Sequence, residues 1–324
     1  MTTTGPAPPK SLAKPVDALA THWTDRLPPA ARPYAQLSRL DRPIGWQLLF
    51  LPCLMGIALA ETLEGFWLED AGLAALMLVG AIAMRGAGCT WNDILDRKID
   101  GQVARTALRP IPSGRVSVRA ALAWMGAQCG VGLLVLTMLP PVAQVVSLFA
   151  VPLVALYPLM KRITWWPQVW LGLCFSWGAL VAMAAVRGAL SVEAFLLYAG
   201  CAAWTVAYDT IYALQDVEDD ALVGVRSTAR LFGDRWRQWT VGFYVLALSL
   251  WAAAASVAGA GLITAMALAA IGAFLIWPLI ERLDDRAPGA ALAAFKANAG
   301  IGLAVAAALG LSGAWRTLAP LMGG

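Results

Sequence analysis

Apolar runs of about twenty residues, recurring about nine times along the chain, constrain its fold more than any other feature. They are centred near Phe50, Gly80, Cys129, Val151, Trp177, Cys201, Leu246, Leu268 and Ala306. In hydrocarbon only segments that satisfy their own backbone hydrogen bonds are stable, and a helix of roughly 20 apolar residues does so while crossing a bilayer. Charged residues make up 14 % of the 324, against about a quarter in soluble domains. The expectation is an all-α, polytopic membrane helix bundle of about nine transmembrane helices with cytoplasmic polar loops. Residues 1–35, rich in Pro, Thr and Ala, read as a flexible cytoplasmic tail, and residues 36–324 as one transmembrane domain.

The basic residues set the orientation. Lys10, Lys14, Arg26, Arg32, Arg39 and Arg42 precede the first run, and Arg97, Lys98, Arg105, Arg109, Arg115 and Arg119 follow the second. Lys161 and Arg162 follow the fourth, Arg226, Arg230, Arg235 and Arg237 the sixth, and Arg282, Arg286 and Lys296 the eighth. Those loops alternate onto one side. The other side receives only Arg187 and Arg316, with Glu61, Glu64, Glu69, Asp70 and Glu193. The positive-inside rule therefore places the N-terminus in the cytoplasm, with a bacterial inner membrane as the expected location. This bias accounts for the net charge of +4, so no nucleic-acid partner is read from it.

Two acidic segments interrupt the apolar pattern on the basic side. The first is Asn92-Asp-Ile-Leu-Asp-Arg-Lys-Ile-Asp100, in which Asn92, Asp96 and Asp100 recur every fourth residue and share a helical face. The second, residues 209–220, carries Asp209, Asp216 and Asp220, spaced as on one helical face at the end of an apolar run. Carboxylates so crowded are either a solvated helix end or a site for a positive charge. A divalent cation is the simplest neutraliser, and hard oxygen ligands suit Mg²⁺ or Mn²⁺. That the chain repeats one plan, spanning helix, acidic end and arginine-bearing loop, favours the site.

Cations accompany both segments. Arg85 lies seven residues before Asn92 on the same face; an intramembrane arginine faces a cavity or a carboxylate. Arg42 is either a positive-inside anchor or a substrate contact. Residues 105–114 combine two arginines, two prolines and a glycine, a rigid polar loop able to cap an anion or simply obeying the charge rule. Tyr157 stands four positions before Lys161, and Trp165, Trp166 and Trp170 read as an interfacial belt. The five cysteines form no Cys-x-x-Cys pair and read as buried packing residues; His22 reads as a surface residue of the tail. Ser-His-Asp and Cys-His chemistry are thereby disfavoured.

Acidic segments, arginines and a lysine at a membrane's edge suit a Mg²⁺-bridged diphosphate ester whose lipid tail runs into an apolar cavity. If the ester is allylic, loss of diphosphate leaves a carbocation. Ring faces of Tyr157, Tyr212 or Trp177 would stabilise it while the helices exclude water.

The motifs also resemble those of the UbiA superfamily of intramembrane prenyltransferases, over Arg39 to Ala319. Asn92-Asp-x-x-Asp96-x-x-x-Asp100 looks like its first motif and Asp216-x-x-x-Asp220 like its second. Arg85-Gly-Ala-Gly-Cys89, Arg105-Thr-x-x-Arg-Pro-x-x-Ser-Gly114 and Tyr157-Pro-x-x-Lys-Arg162 match as well. Arg42-Pro-Ile-Gly45 and Tyr208-Asp-Thr-Ile-Tyr-Ala213, leading into Asp219-Asp220, Gly224 and Ser227-Thr228, look like the 4-hydroxybenzoate polyprenyltransferase branch. The chain departs from the pattern in a longer Pro-rich tail and in Gln215-Asp216-Val-Glu-Asp, where relatives vary.

The resemblance implies a Mg²⁺-dependent transferase of ubiquinone biosynthesis. It would join the polyprenyl group of a polyprenyl diphosphate to the ring carbon ortho to the hydroxyl of 4-hydroxybenzoate. Asn92, Asp96, Asp100, Asp216 and Asp220 would hold the metal. Asp96, Asp209, Asp216 and Tyr157 would form the catalytic group. Arg42, Arg85, Asn92, Arg97, Arg109, Lys161 and Tyr212 would contact substrate, Arg42 being the choice for the benzoate carboxylate. Rival readings are a related enzyme with haem, a chlorophyllide or dihydroxynaphthoate as acceptor, and an ion-coupled transporter built from two repeats. Transporter sites lie near the bilayer midplane at broken helices, whereas these carboxylates fall at helix ends beside arginine-rich loops. Protein partners are not legible in the sequence.

Overall fold

A computed structural model describes residues 21–102, 106–222 and 224–322. Lys10 and Lys14 of the tail and Arg105 of the polar loop lie outside the described residues. Among those described, regular structure is helical with no strand. After a short helix α1 (Arg32–Leu37) come nine helices long and apolar enough to cross a membrane. They are α2 (Ile44–Glu64), α3 (Leu68–Asp100), α4 (Val118–Met138), α5 (Pro141–Ile163), α6 (Pro167–Arg187), α7 (Val192–Leu222), α8 (Thr228–Val257), α9 (Leu262–Glu281) and α10 (Ala290–Trp315). Each contains one of the nine centres read from the sequence.

Several helices depart from regularity, with local causes. α5 is two helices, Pro141–Leu148 and Ala150–Ile163, joined at Phe149. Pro152 lacks an N–H, and its ring crowds the carbonyl four residues back, at Leu148, where the first piece stops. In α9 the residues Gly272–Ile276 form a π-helical turn directly before Trp277-Pro278, a wider turn that gives the proline ring room. α3, at 33 residues, is roughly 50 Å long, well beyond the ~30 Å hydrocarbon layer. Its C-terminal turns, carrying the first acidic segment, therefore have length to project past the apolar zone.

The chain divides into two compact units. The first takes the described residues up to Gly45 together with Ile82–Leu133. Its apolar cluster is Leu37, Ile94, Ile111, Val116 and Ala121, with Tyr34 and Trp124 packed against it and edge to face with each other at 5.5 Å. The Trp124 indole N–H donates to Ser38 Oγ at 2.8 Å, fastening α4 to the turn after α1. His22, rather than standing free, caps a 3₁₀ turn over Trp23–Arg26 and exchanges hydrogen bonds with Thr24 and Asp25.

The second unit takes Trp46–Ala81 and the residues from Leu134 on. Its centre is an aromatic stack: Trp204 lies edge to face with Tyr208 at 5.0 Å and with Trp251 at 5.9 Å. Asn298 Oδ1 accepts hydrogen bonds from both Trp204 Nε1 and Tyr244 Oη, each at 2.8 Å. α6 and α7 approach closely because Gly172 has no side chain; a Cβ there would sit 2.8 Å from the Ala202 carbonyl oxygen. At one end of this unit Arg187 pairs with Glu193 at 2.7 Å and with Glu64 at 3.3 Å. Of the two cations expected on the acid-bearing side, Arg187 thus sits among its acids. Lys296 falls within α10 rather than in the turn before it, because the run from Ala290 holds no breaker. Cys53, Cys89, Cys174 and Cys201 are buried, but Cys129 is exposed, since α4 turns that face away from protein.

Candidate active site

In the first unit the acidic end of α3 is a network of ion pairs. Asp93 is fully buried and its Oδ1 accepts from Arg39 Nη2 at 2.7 Å and from Arg109 Nη1 at 3.3 Å. Arg109 Nη1 also donates to Asp100 Oδ2 at 2.8 Å, so one guanidinium bridges two turns of the helix. Arg39 reaches this position from a left-handed backbone, φ 56°, which costs a non-glycine residue about 1 kcal/mol and is offset by the buried pair. The loop after α3 is therefore held down at Arg109, and again where Thr106 Oγ1 donates to the Asp100 carbonyl at 2.8 Å. Arg115 donates to Gln36 Oε1 at 2.8 Å, and burial lowers its guanidinium pKa from the ordinary value.

The remaining first-unit residues take varied positions. Asp96 is fully buried and Asn92 half-buried. Arg97 is exposed and turned back onto its own helix, donating to the Ile94 carbonyl at 2.6 Å. Arg42 is buried beside Asp41, Nε to Oδ1 at 3.0 Å. Arg85 packs across Gly45: a Cβ on that glycine would meet Arg85 Nε at 2.6 Å. The Arg42-Pro-Ile-Gly45 motif thus ends on a residue whose lack of a side chain admits this arginine.

In the second unit the other acidic segment is not one continuous α-helical face. α7 runs as α-helix over Val192–Ala213, as a 3₁₀ turn over Leu214–Asp216, and as α-helix again over Val217–Leu222. The tighter turn rotates Asp216 and Asp220 away from where unbroken helix would set them relative to Asp209. All three are half-buried, whereas Glu218 and Asp219 are exposed. Tyr212 lies 4.6 Å from the Phe295 ring, and Tyr208 is fully buried against Trp204.

The segment after Asp220 folds back onto α5 and α6. Arg226 N donates to the Lys161 carbonyl at 3.0 Å, and its side chain to the Ile163 carbonyl at 2.6 Å. The Thr210 and Thr228 hydroxyls are 2.6 Å apart, and Thr228 N donates to Gln168 Oε1 at 3.0 Å. Lys161 and Tyr157, both half-buried on the last turns of α5, are thereby brought to the same end of the unit as Asp220. Trp165 lies under Arg226 and Arg230, at 5.8 and 5.3 Å from ring to guanidinium carbon. Of the three tryptophans that read as a belt, Trp165 thus also stacks on cations, while Trp170 Nε1 donates to the Leu153 carbonyl at 2.7 Å.

Among the described residues no three Asp, Glu, His or Cys side chains are gathered to hold a metal by themselves. The donors present are carboxylate and amide oxygens, which fit Mg²⁺, an ion that takes one or two carboxylates and completes its shell with water and phosphate. Sequence spacing missed Asp93, the most interior acid of the segment. Its signal was adjacency to Asn92, but its partners Arg39 and Arg109 are too distant in sequence for spacing to pair them.

The UbiA prenyltransferase family matches residues 49–318. The chain is similar to 4-hydroxybenzoate polyprenyltransferase, mitochondrial, of Drosophila melanogaster, 48 % identical over 66 % of this chain and 54 % of that protein. It is similar to the Homo sapiens protein of that name at 39 % identity over 96 % of this chain and 83 % of the relative. The chain thus spans about half the length of the insect relatives it matches. Among solved structures, a UbiA homolog from Archaeoglobus fulgidus bound to GPP and Mg²⁺ shares the fold, with TM-score 0.63 and 20 % identity over 86 % of this chain and 99 % of that one. With nine helices among the described residues long and apolar enough to cross a membrane, an acid-rich end on α3 and another on α7, and the family match over residues 49–318, the chain belongs to the UbiA prenyltransferase family.

Proposed function

We propose that the chain catalyses Mg²⁺-dependent transfer of a polyprenyl group from polyprenyl diphosphate to the ring carbon ortho to the hydroxyl of 4-hydroxybenzoate, a step toward ubiquinone. The observation that carries the reading is similarity to proteins named for this activity across 96 % of the chain. The acidic ends of α3 and α7, with Lys161 and Arg97, support the diphosphate half of it, and buried Arg42 the benzoate half.

In this proposal Asn92, Asp96 and Asp100, and likewise Asp216 and Asp220, would hold the magnesium-diphosphate charge, with Asp209 nearby. Bound Mg²⁺ supplies Lewis-acid stabilisation of the departing diphosphate. Lys161, Arg97 and Arg109 take up charge on phosphate oxygens. The C–O bond breaks with its electron pair on diphosphate. Tyr157, Tyr212 and Trp177 present ring faces to the allylic cation in a region that excludes water. Arg42 orients the acceptor through its carboxylate, the ortho carbon forms the new C–C bond, and the ring proton passes to the released diphosphate.

Location and orientation belong to the same proposal. The arginine-rich loops mark the side from which diphosphate is handled: the cytoplasm, if the chain resides in a bacterial inner membrane. The relatives named above are mitochondrial. The test is an assay of purified protein in detergent with Mg²⁺, geranyl diphosphate and 4-hydroxybenzoate. Prenylated benzoate and free diphosphate, both abolished by EDTA, support the proposal. Failure to make product with this acceptor, while haem, a chlorophyllide or dihydroxynaphthoate is prenylated, overturns the acceptor. Solute uptake by proteoliposomes without any transfer overturns the chemistry.

A further inference from the structure

The outer face of α8 carries a groove that the transferase chemistry does not use. Arg235, Gln238, Trp239, Gly242, Phe243 and Leu246 line a cavity of about 640 Å³. That volume lies within the range of small-ligand sites. Its polar groups are all at one end. α8 passes through a 3₁₀ turn at Gly233–Arg235 before its long helical part, Trp236–Val257, so Arg235 and Gln238 stand where that part begins, and the apolar residues follow one helical stripe down it. Trp166, from the turn before α6, meets Trp239 at 6.4 Å and Phe243 at 6.5 Å, both edge to face. Phe232 stacks on Trp239 at 4.8 Å with the rings 11° from parallel, making a firm aromatic wall.

Two details point to an occupant. Among the described residues, the exposed Arg235 guanidinium makes neither an ion pair nor a side-chain hydrogen bond, not even with its neighbour Asp234. Nearby arginines are engaged instead: Arg226 and Arg230 on Trp165, and Arg237 on Trp236 at 4.9 Å and on the Leu283 carbonyl at 2.6 Å. The groove also exists because position 242 has no side chain. A Cβ there would meet nothing within 4 Å, and the residue lies within a regular helix, so no backbone conformation requires glycine.

We propose that this groove binds one anionic phospholipid, its phosphate on Arg235 and Gln238 and an acyl chain along Trp239, Phe243 and Leu246. A cation on the basic side of the membrane, an aromatic girdle below it and an apolar channel below that match the charge and polarity of such a lipid from headgroup to tail. The site lies on the outward side of α8 and is independent of the proposed prenyl transfer.

Native mass spectrometry of the delipidated full chain in detergent tests this, with phosphatidylglycerol and phosphatidylcholine of equal chain length as probes. The wild type retains one phosphatidylglycerol in preference to phosphatidylcholine. Arg235→Gln weakens that retention about fivefold, as for loss of one basic contact at a membrane surface. Gly242→Leu abolishes retention of both lipids while leaving the thermal midpoint in place. Equal retention of the two lipids, or unaltered phosphatidylglycerol binding in both variants, overturns the proposal. So does displacement of phosphatidylglycerol by geranyl diphosphate with Mg²⁺, which would make the groove part of the substrate site.

Discussion

Arg39 and Asp93 meet at 2.7 Å, guanidinium to carboxylate, with the acid wholly inaccessible to solvent and the arginine in a left-handed backbone. Asp93 also reaches Arg109, so one carboxylate ties the turn before α2 and the loop after α3 to the acidic end of α3. Removing one partner of a buried pair leaves the other desolvated and uncompensated. Asp93→Ala is expected to destabilise the protein by about 3 kcal/mol, read from denaturation in detergent, and Asp93→Asn by less because the amide still accepts a hydrogen bond.

Asn298 serves two donors at once. Asn298→Leu leaves Trp204 Nε1 and Tyr244 Oη buried without an acceptor and is expected to cost about 2 kcal/mol of unfolding free energy. Adding Tyr244→Phe removes one of the orphaned donors at almost unchanged volume and recovers part of the loss.

Gly172 sets the separation of α6 and α7. Because the obstructing atom is backbone rather than a movable side chain, Gly172→Ala forces the helices apart and is expected to cost about 1–3 kcal/mol. Thermal midpoints in one detergent compare it with wild type.

If Arg42 grips the benzoate carboxylate, its planar fork cannot be replaced by a point charge. Arg42→Lys is expected to raise KM for 4-hydroxybenzoate about tenfold to a hundredfold, and to leave KM for the allylic diphosphate unchanged. Equal effects on both substrates would return Arg42 to a structural pair with Asp41.

The nine long apolar helices among the described residues were legible because bilayer thickness imposes a length on any apolar helix that crosses it. Phe149 was in principle readable from Pro152. The 3₁₀ turn at Leu214–Asp216 was not: no glycine or proline marks it, and the turn is held by how the following segment bonds to Gln168, Lys161 and Ile163. A four-residue periodicity selected Asn92, Asp96 and Asp100 and passed over Asp93, whose importance depends on arginines 54 and 16 residues away. Spacing reports which residues share a face; it does not report which distant chain segment covers that face.

Calorimetric titration of geranyl diphosphate into wild type, Asp96→Ala and Asp216→Ala, with and without Mg²⁺, tests most directly whether both acidic segments carry the diphosphate. The expected result is Mg²⁺-dependent binding by wild type that weakens at least about tenfold in each variant, measured at a temperature where each variant remains folded. Wild-type affinity in either variant, or wild-type binding indifferent to Mg²⁺, would contradict the account.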